Sequence, residues 1–387
     1  MRTLIFSISA GEGHYQTSLA MKKYILSKDK TSDVMIVDTL TYISPVLNKI
    51  IIGSYLKALQ IKPSLYRKLY YVIDSNNKPS SLQLNSKFNS LLSIKLKKLI
   101  DDFQPDTIIS THPIPTEMLS ILKLKLELKV PIITIITDYA PHHFWLHEGI
   151  DAYITANKSL IKDISEKGID ENKVYSLGIP VNPEFLKKYD KTQTLCSLNL
   201  SPDKFTILIM GGSLGMGKIL ELCKELDRIE NDIQIIVITG KNIKLYKQLV
   251  KLKTNFYKDI RILKYTNEIS KYMQASDLLF TKPGGITVTE AMLSSVPLVL
   301  FSPIPGQEEK NVKFLTEHNL GIYLDDIKNC NKIVKDLLEN PFLLERIKRN
   351  YTNYIKPHSG DDIYTLMYCL YQDNLSNHIS SIKVQKN

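Results

Sequence analysis

The chain has 387 residues, 43% of them hydrophobic and 23% charged, which is the composition of a globular protein with substantial cores and the length of two domains. No apolar run approaches the ~18 residues of a spanning helix, the short run Leu4–Ala10 behind Arg2 does not read as a signal peptide, and Cys196, Cys223, Cys330 and Cys369 are widely spaced, with no CxxC or metal-like grouping, as in a cytosolic protein with reduced thiols. The net charge of +10 is concentrated in Thr39–Ile100, which holds ten Lys or Arg against one acid, Asp74, and so points to an anionic surface as partner.

In chain order, strands are predicted at Thr3–Ile8, Val34–Val37, Thr107–Ser110, Ile132–Thr137, Ala152–Thr155 and Val174–Leu177, with helical patterns between several of them. Their continuous apolar character implies a parallel sheet covered on both faces. Gly178–Asp190, with Pro180 and Pro183, reads as a linker. The pattern then restarts with strands at Thr206–Met210, Ile233–Thr239, Ile260–Leu263, Leu278–Phe280, Leu298–Phe301 and Gly321–Leu324. Two α/β units of similar size, residues 1–185 and 195–387, are expected to form two Rossmann-like domains with parallel sheets facing across a cleft, the C-terminal helical segment of the second being a candidate to pack back on the first.

The first strand runs into Ser9-Ala10-Gly11-Glu12-Gly13-His14, with a helix expected from about Gln16. Gly11 and Gly13 permit a tight turn and close approach of a ligand. The dinucleotide pattern G-x-G-x-x-G fails at Gln16, which argues against NAD. His14 stands at a positive helix end that keeps it neutral, suiting either a general base or a merely structural histidine. Asp138 follows the most hydrophobic strand, where an α/β sheet places its chemistry; it is equally a candidate N-cap. His142, His143 and His147 cluster nearby, but adjacent histidines do not readily share one ion and no acid or cysteine completes a set, so no metal is expected.

In the second half, Gly211–Gly217 is another glycine loop before a helix, with Ser213 as a hydroxyl donor, and Tyr265 follows a strand end where an aromatic can cover a nucleobase or simply pack. The most informative stretch is 277–311. A short strand enters Pro283-Gly284-Gly285, and a helix expected near Thr287 offers its unpaired N–H groups and positive end to a diphosphate. Glu290 stands one turn in, placed for two ribose hydroxyls. Gln307, Glu308 and Asn311 suit sugar hydroxyls. The stretch reads as a nucleotide-sugar site.

Six segments in order resemble one family: Ser-Ala-Gly-Glu-Gly-His (9–14), Thr-Asp-Tyr-Ala-Pro-His-His-Phe-Trp (137–145), Gly-Ile-Pro-Val (178–181), Met-Gly-Gly-Ser (210–213), Lys-Pro-Gly-Gly-Ile-Thr-Val-Thr-Glu-Ala (282–291) and Pro-Gly-Gln-Glu-Glu-Lys-Asn (305–311). They are similar to the diacylglycerol glycosyltransferases, the group of plant monogalactosyldiacylglycerol synthases and bacterial processive diacylglycerol glucosyltransferases, related more distantly to the peptidoglycan lipid-intermediate GlcNAc transferase. The resemblance implies a GT-B fold and an inverting, metal-independent transfer of glucose or galactose from a UDP-sugar to diacylglycerol. It implies His14 or Asp138 as catalytic base, with Gly11, Gly13, His142 and His143 around the acceptor. Glu290 would hold the ribose, Gly284, Gly285, Ile286, Thr287 and Ser213 the diphosphate, Tyr265 the uracil, and Gln307 and Glu308 the hexose.

A lipid acceptor requires a bilayer-facing surface. Tyr42–Tyr71 interleaves Val46, Leu47, Ile50–Ile52, Tyr55, Leu56, Leu59 and Tyr66 with Lys49, Lys57, Lys62, Arg67 and Lys68, a pattern fit for peripheral docking on the inner, anionic face of the cell membrane. An ordinary core-facing helix with a charged face is the plainer reading. No nucleic-acid recognition motif accompanies the charge. A nucleotide-sugar epimerase, a transferase to a polyprenyl-linked acceptor and a non-catalytic UDP-sugar sensor are the rivals; dependence on vesicles and turnover with diacylglycerol separate them.

Overall fold

A computed structural model describes the protein except for residues 10–11, 62–63, 65–66, 69–70, 72–82, 141 and 385–387; of residues 55–61, 83–91 and 377–384 it describes the backbone alone. The chain forms two compact units, Met1–Asn182 with Lys356–Asn387, and Pro183–Ile355. The break at Asn182 and Pro183 lies within Gly178–Asp190, and residues from Lys356 onward cluster with the first unit.

The first unit is built on β1 (Arg2–Ser7), β2 (Asp33–Asp38), β3 (Thr107–Ser110), β4 (Ile132–Ile135), β5 (Ala152–Ile154) and β6 (Val174–Tyr175), in the sheet order β2-β1-β3-β4-β5-β6. Every pairing is parallel. The strands are rich in Ile, Leu, Val and Thr, and the central β3 and β4 are buried throughout, as two-sided coverage by helices requires. Asp38, at the end of β2, caps the short helix Thr39–Ile43 by accepting from the Thr41 N–H, and takes a second hydrogen bond from the Ser9 N–H at 3.0 Å.

The helix Ser359–Val384 completes this unit. Ile363 and Met367, one turn apart, lie in the same core as Ile5, Met21, Ile25, Ile109 and Ile133. Ser359 Oγ donates to the Gly178 carbonyl at 2.9 Å, and Lys28 pairs with Asp361 at 2.9 Å. Gly360 permits the close approach: a Cβ there would lie 2.1 Å from Cδ2 of the buried Tyr24. Burial, helped by the Asp361 carboxylate, pushes the Tyr24 phenol up to about 12. We expect Gly360→Ala to destabilise the protein by roughly 1–3 kcal/mol through overpacking, read as a lower denaturant midpoint.

The second unit repeats the plan with β7 (Phe205–Met210), β8 (Ile233–Ile238), β9 (Asp259–Leu263), β10 (Leu278–Thr281), β11 (Leu298–Phe301) and β12 (Ile322–Leu324), ordered β12-β11-β10-β7-β8-β9 and again parallel. Its core joins Ile207, Ile209, Ile235, Val237 and Phe280 of the sheet to Ile219, Leu222 and Leu226 of the Ile219–Asp227 helix. Each sheet reverses its strand order at one place: between β1 and β3 in the first unit, between β7 and β10 in the second. Loops leaving the carboxyl ends of such strands diverge, and ligands bind in the crevice they leave.

Candidate active site

At the β1/β3 reversal the helix after β1 starts at Gly13, earlier than expected. Glu12 rather than a glycine takes the left-handed backbone (φ 62°) at its N-cap, and Gly11 lies outside the described residues. His14 sits in the first turn, half-buried. Its Nδ1 is 2.9 Å from Thr137 Oγ1, beyond the end of β4. Its ring meets the His112 ring edge-on, with centroids 4.6 Å apart, and lies 5.9 Å from that of Trp145. Asp138, 3% exposed, accepts from Trp145 Nε1 at 3.3 Å. Thus β1, β3 and β4, adjacent in the sheet, bring His14, His112, Thr137 and Asp138 together. His142 is buried 6.2 Å from Trp145, while His143 begins a short 3-10 turn and is partly exposed. Among the described residues no group of three or more His, Cys, Asp or Glu is placed to hold a metal ion.

Burial lowers the His14 imidazole below its usual value, against the pull of the Asp138 carboxylate and a hydrogen bond to the Thr111 backbone. A desolvated, neutral imidazole with a carboxylate beside it is able to take a proton and to be stabilised once it holds one. Burial, with His14 and His142 nearby, holds His112 well below the ordinary range. His112 Nδ1 accepts from the Ile114 N–H at 3.1 Å, capping the helix Pro113–Lys125.

At the β7/β10 reversal, β10 runs through Lys282 and Pro283 to Gly284, the N-cap of the helix Gly285–Leu293. The first intrahelical bond runs from the Val288 N–H to the Gly284 carbonyl, so the amides of Gly285, Ile286 and Thr287 lie ahead of the helical ladder. A Cβ on Gly284 would meet only Glu308 Oε1, at 3.8 Å, so the space beside it is open. Glu290 has no hydrogen-bond or ion-pair partner for its carboxyl among the described residues. Burial pushes it up to about 8.

Gln307 opens the helix Gln307–Glu317, whose N-cap is Gly306 (φ 86°). Glu308 is engaged within the protein: Lys282 Nζ lies 3.2 Å from each of its oxygens, and Oε2 also accepts from the Ile304 N–H at 2.6 Å. A carboxylate retains lone pairs beyond these contacts, so Glu308 can both hold Lys282 and face a sugar hydroxyl. Asn311, fully buried, donates to the Pro283 carbonyl at 3.0 Å and braces the Lys282–Gly285 turn.

Ser213 lies in the loop after β7, where the Ser213 carbonyl accepts from the Lys241 N–H at 2.7 Å. The glycines there answer to backbone crowding: a Cβ on Gly211 would come 2.0 Å from the Met216 carbonyl oxygen, and one on Gly215 (φ 55°) 2.1 Å from that of Thr239. Tyr265 is 43% exposed, with Lys241 Nζ 5.5 Å from its ring centroid. Of the expected docking residues, Lys49, Arg67 and Lys68 are exposed, as are Val46, Ile50 and Tyr42. Lys62 and Tyr66 lie outside the described residues, and only the backbone of Tyr55 and Lys57 is described. No helix among the described residues is long and apolar enough to cross a membrane.

Sequence reasoning missed His112, Thr137 and Lys282 as members of these groups. The signals were present: His112-Pro113 after a strand reads as an N-cap followed by an N1 proline, and Lys282 directly precedes the Pro-Gly-Gly turn.

Two Rossmann-like units with polar groups gathered at each switch point define the GT-B class. Acinetobacter baumannii MurG shares this fold at a TM-score of 0.60 and 14% identity, over 95% of this chain and 99% of that one. So does a putative UDP-N-acetylglucosamine 2-epimerase from Listeria monocytogenes, at a TM-score of 0.60 and 13% identity, over 96% and 97%. At such identities the likeness is one of fold alone. Sequence similarity is more specific. Residues 14–181 match the family model of monogalactosyldiacylglycerol (MGDG) synthase, and residues 206–357 that of the glycosyltransferase family 28 C-terminal domain. The processive diacylglycerol beta-glucosyltransferase of Bacillus pumilus (strain SAFR-032) is 30% identical over 367 residues, 94% of this chain and 93% of that protein. The chain belongs to the diacylglycerol glycosyltransferase family.

Proposed function

We propose that the protein, a UDP-sugar-dependent diacylglycerol glycosyltransferase, moves a hexose to the 3-hydroxyl of 1,2-diacylglycerol with inversion, giving a β-glycosyldiacylglycerol. The observation that carries the reading is its relationship to a diacylglycerol beta-glucosyltransferase along nearly its whole length. The second unit takes the donor. Glu290 accepts the two ribose hydroxyls, and the amides of Gly285–Thr287, with Lys282, face the diphosphate. Gln307 and Glu308 contact the hexose, Tyr265 the uracil and Ser213 a phosphate oxygen. The first unit supplies the base. His14 takes the proton of the acceptor hydroxyl as its oxygen bonds to the anomeric carbon and the bond to UDP breaks, while Asp138 stabilises the imidazolium that forms. Charge appearing on the departing diphosphate meets donors already in place, a contribution of several kcal/mol where such sites have been probed by mutation. This assignment calls for no metal ion.

The site is tested by incubating the enzyme with UDP-glucose or UDP-galactose and diacylglycerol vesicles, then weighing the lipids and reading the anomeric configuration. A β-linked hexosyl lipid is expected, and products with further hexoses would mark processive addition. Lipid-independent epimerisation of the UDP-sugar with no glycolipid formed would overturn the reading in favour of an epimerase.

The acceptor is met at an anionic membrane surface, with the protein peripheral on its cytoplasmic side. Support comes from Val46 at 66% exposure and Ile50 at 59%, four residues apart and thus on one face of the Pro45–Ile61 helix, with exposed Lys49 between them. Replacing both Val46 and Ile50 with serine is expected to reduce co-sedimentation with anionic vesicles and activity on them, while activity on detergent-dispersed diacylglycerol persists. Unchanged sedimentation would remove this face from the docking surface.

A further inference from the structure

The His14–His112 contact has no counterpart in the assignments above. His112 stands at the end of β3, and its Nδ1 is spent on the Ile114 N–H at 3.1 Å. A ring nitrogen that accepts an N–H bond carries no proton, so the cap fixes His112 as the neutral Nε2–H tautomer. The same bond, backed by the adjacent Pro113 at the start of its helix, fixes where the ring stands. It stands edge-on to His14, at 4.6 Å and an interplanar angle of 73°. Thr137 Oγ1 also contacts His14, 2.9 Å from Nδ1.

We propose that His112 is a positioning residue for His14, its ring held by the helix cap so that it presses the His14 imidazole against Thr137. The proposal rests on the reading of His14 as the base. A base must lie within hydrogen-bond reach of the proton it takes, and small displacements of a reacting group are costly in rate. Ring packing against His112 together with the Thr137 hydrogen bond leaves His14 little freedom to swing.

The arrangement also separates the protonation states of the two rings. Asp138 and the Thr111 backbone face His14 and favour its charged form, while His14 and His142 face His112 and disfavour its own. Two imidazolium rings in edge contact would repel, and protonating His112 at Nδ1 would break the cap. The proton taken from the acceptor therefore stays on His14. The His112 ring also excludes water from that side, and its removal would let His14 relax toward the ordinary imidazole value.

Two variants separate the ring from the cap. His112→Asn keeps an N-cap acceptor and removes the ring; asparagine ranks with the best N-cap residues. We expect its Tm and UDP dissociation constant to stay near wild type, kcat at neutral pH to fall about tenfold or more, and the acid limb of the kcat profile to move to higher pH. The His14 Cε1–H resonance, titrated by NMR without substrate, should shift its midpoint the same way. His112→Phe keeps an aromatic edge and loses the acceptor that holds it; its Tm should fall, and kcat per folded molecule and the His14 midpoint should move the same way as in His112→Asn, by less.

An unchanged His14 titration and kcat in His112→Asn overturn the proposal. If that variant does not fold, soluble, folded His112→Phe decides: a reduced kcat with a shifted His14 midpoint supports the proposal, and wild-type kcat and midpoint overturn it. Failure of the base assignment itself appears elsewhere, as a His14→Ala enzyme that still turns over, whereas the NMR midpoint reports the His112 contact with no turnover at all.

Discussion

His14→Ala is expected to lower kcat by about 10²–10⁴-fold, the usual contribution of a general base, with UDP affinity unchanged because the donor contacts proposed above are all drawn from the other unit. The imidazole is half-buried at the mouth of the β1 loop and hydrogen-bonded at one ring nitrogen to Thr137. Burial keeps it neutral at neutral pH, and Asp138 is near enough to favour the imidazolium as it forms. An interaction made only as the acceptor oxygen loses its proton should depress kcat and kcat/KM together. The kcat profile should fall on its acid side, where His14 becomes protonated and no longer accepts; because burial lowers its pKa, that limb should lie below the value for an exposed histidine. Substitution of His14 that leaves more than about a tenth of wild-type kcat would be too mild for a base and would turn attention to Asp138, whose carboxylate now binds the Trp145 indole.

The strands were legible because most are short runs dominated by Ile, Leu, Val, Phe and Thr, and the central ones are buried throughout in a parallel sheet. Both glycine-associated turns and the run from Lys282 to Asn311 were legible because turn residues, a helix start and polar side chains recur there at fixed offsets. Sheet order was not. Strand composition does not record that β1 lies between β2 and β3, so nothing local to His112 announces that it faces a histidine 98 positions earlier. The same limit hid Lys282. Its ion pair with Glu308 forms because β10 and β11 are neighbours and their carboxyl-end loops meet.

Helix starts moved for a local reason. A Gly or Glu with a suitable backbone at the N-cap lets the helix begin at Gly13 and Gly285, two or three residues before the apolar periodicity becomes visible. The return of the last helix to the first unit had a sequence trace in Gly360, Ile363 and Met367: a small residue and two apolar ones on one face. That trace identifies a packed face but not the sheet it packs on.

Glu290→Gln is expected to weaken UDP-glucose binding at least tenfold above pH 8 while leaving the fold intact. The Glu290 carboxyl has no protein partner among the described residues, and burial raises it to about 8. It is therefore largely protonated at neutral pH in the free protein. Two ribose hydroxyls need an acceptor and favour the ionised form, and hydrogen bonds to a charged group contribute about 1.5–3 kcal/mol each, against roughly 1.4 kcal/mol per factor of ten. Binding below pH 8 should thus release a proton. The sign follows: affinity rises with pH toward about 8 and levels off above it, and the calorimetric enthalpy depends on the buffer's ionisation heat. UDP-glucose is the suitable probe because it has no group of its own that titrates near neutrality. Stability gives an independent check. A carboxyl whose folded pKa is raised contributes stability that is complete below its unfolded value and is lost as pH rises through about 8. The free wild-type protein should therefore lose stability relative to Glu290→Gln over that interval. Equal UDP-glucose affinities for the two proteins at pH 8.5, or affinity that does not vary with pH in wild type, would remove Glu290 from the ribose site.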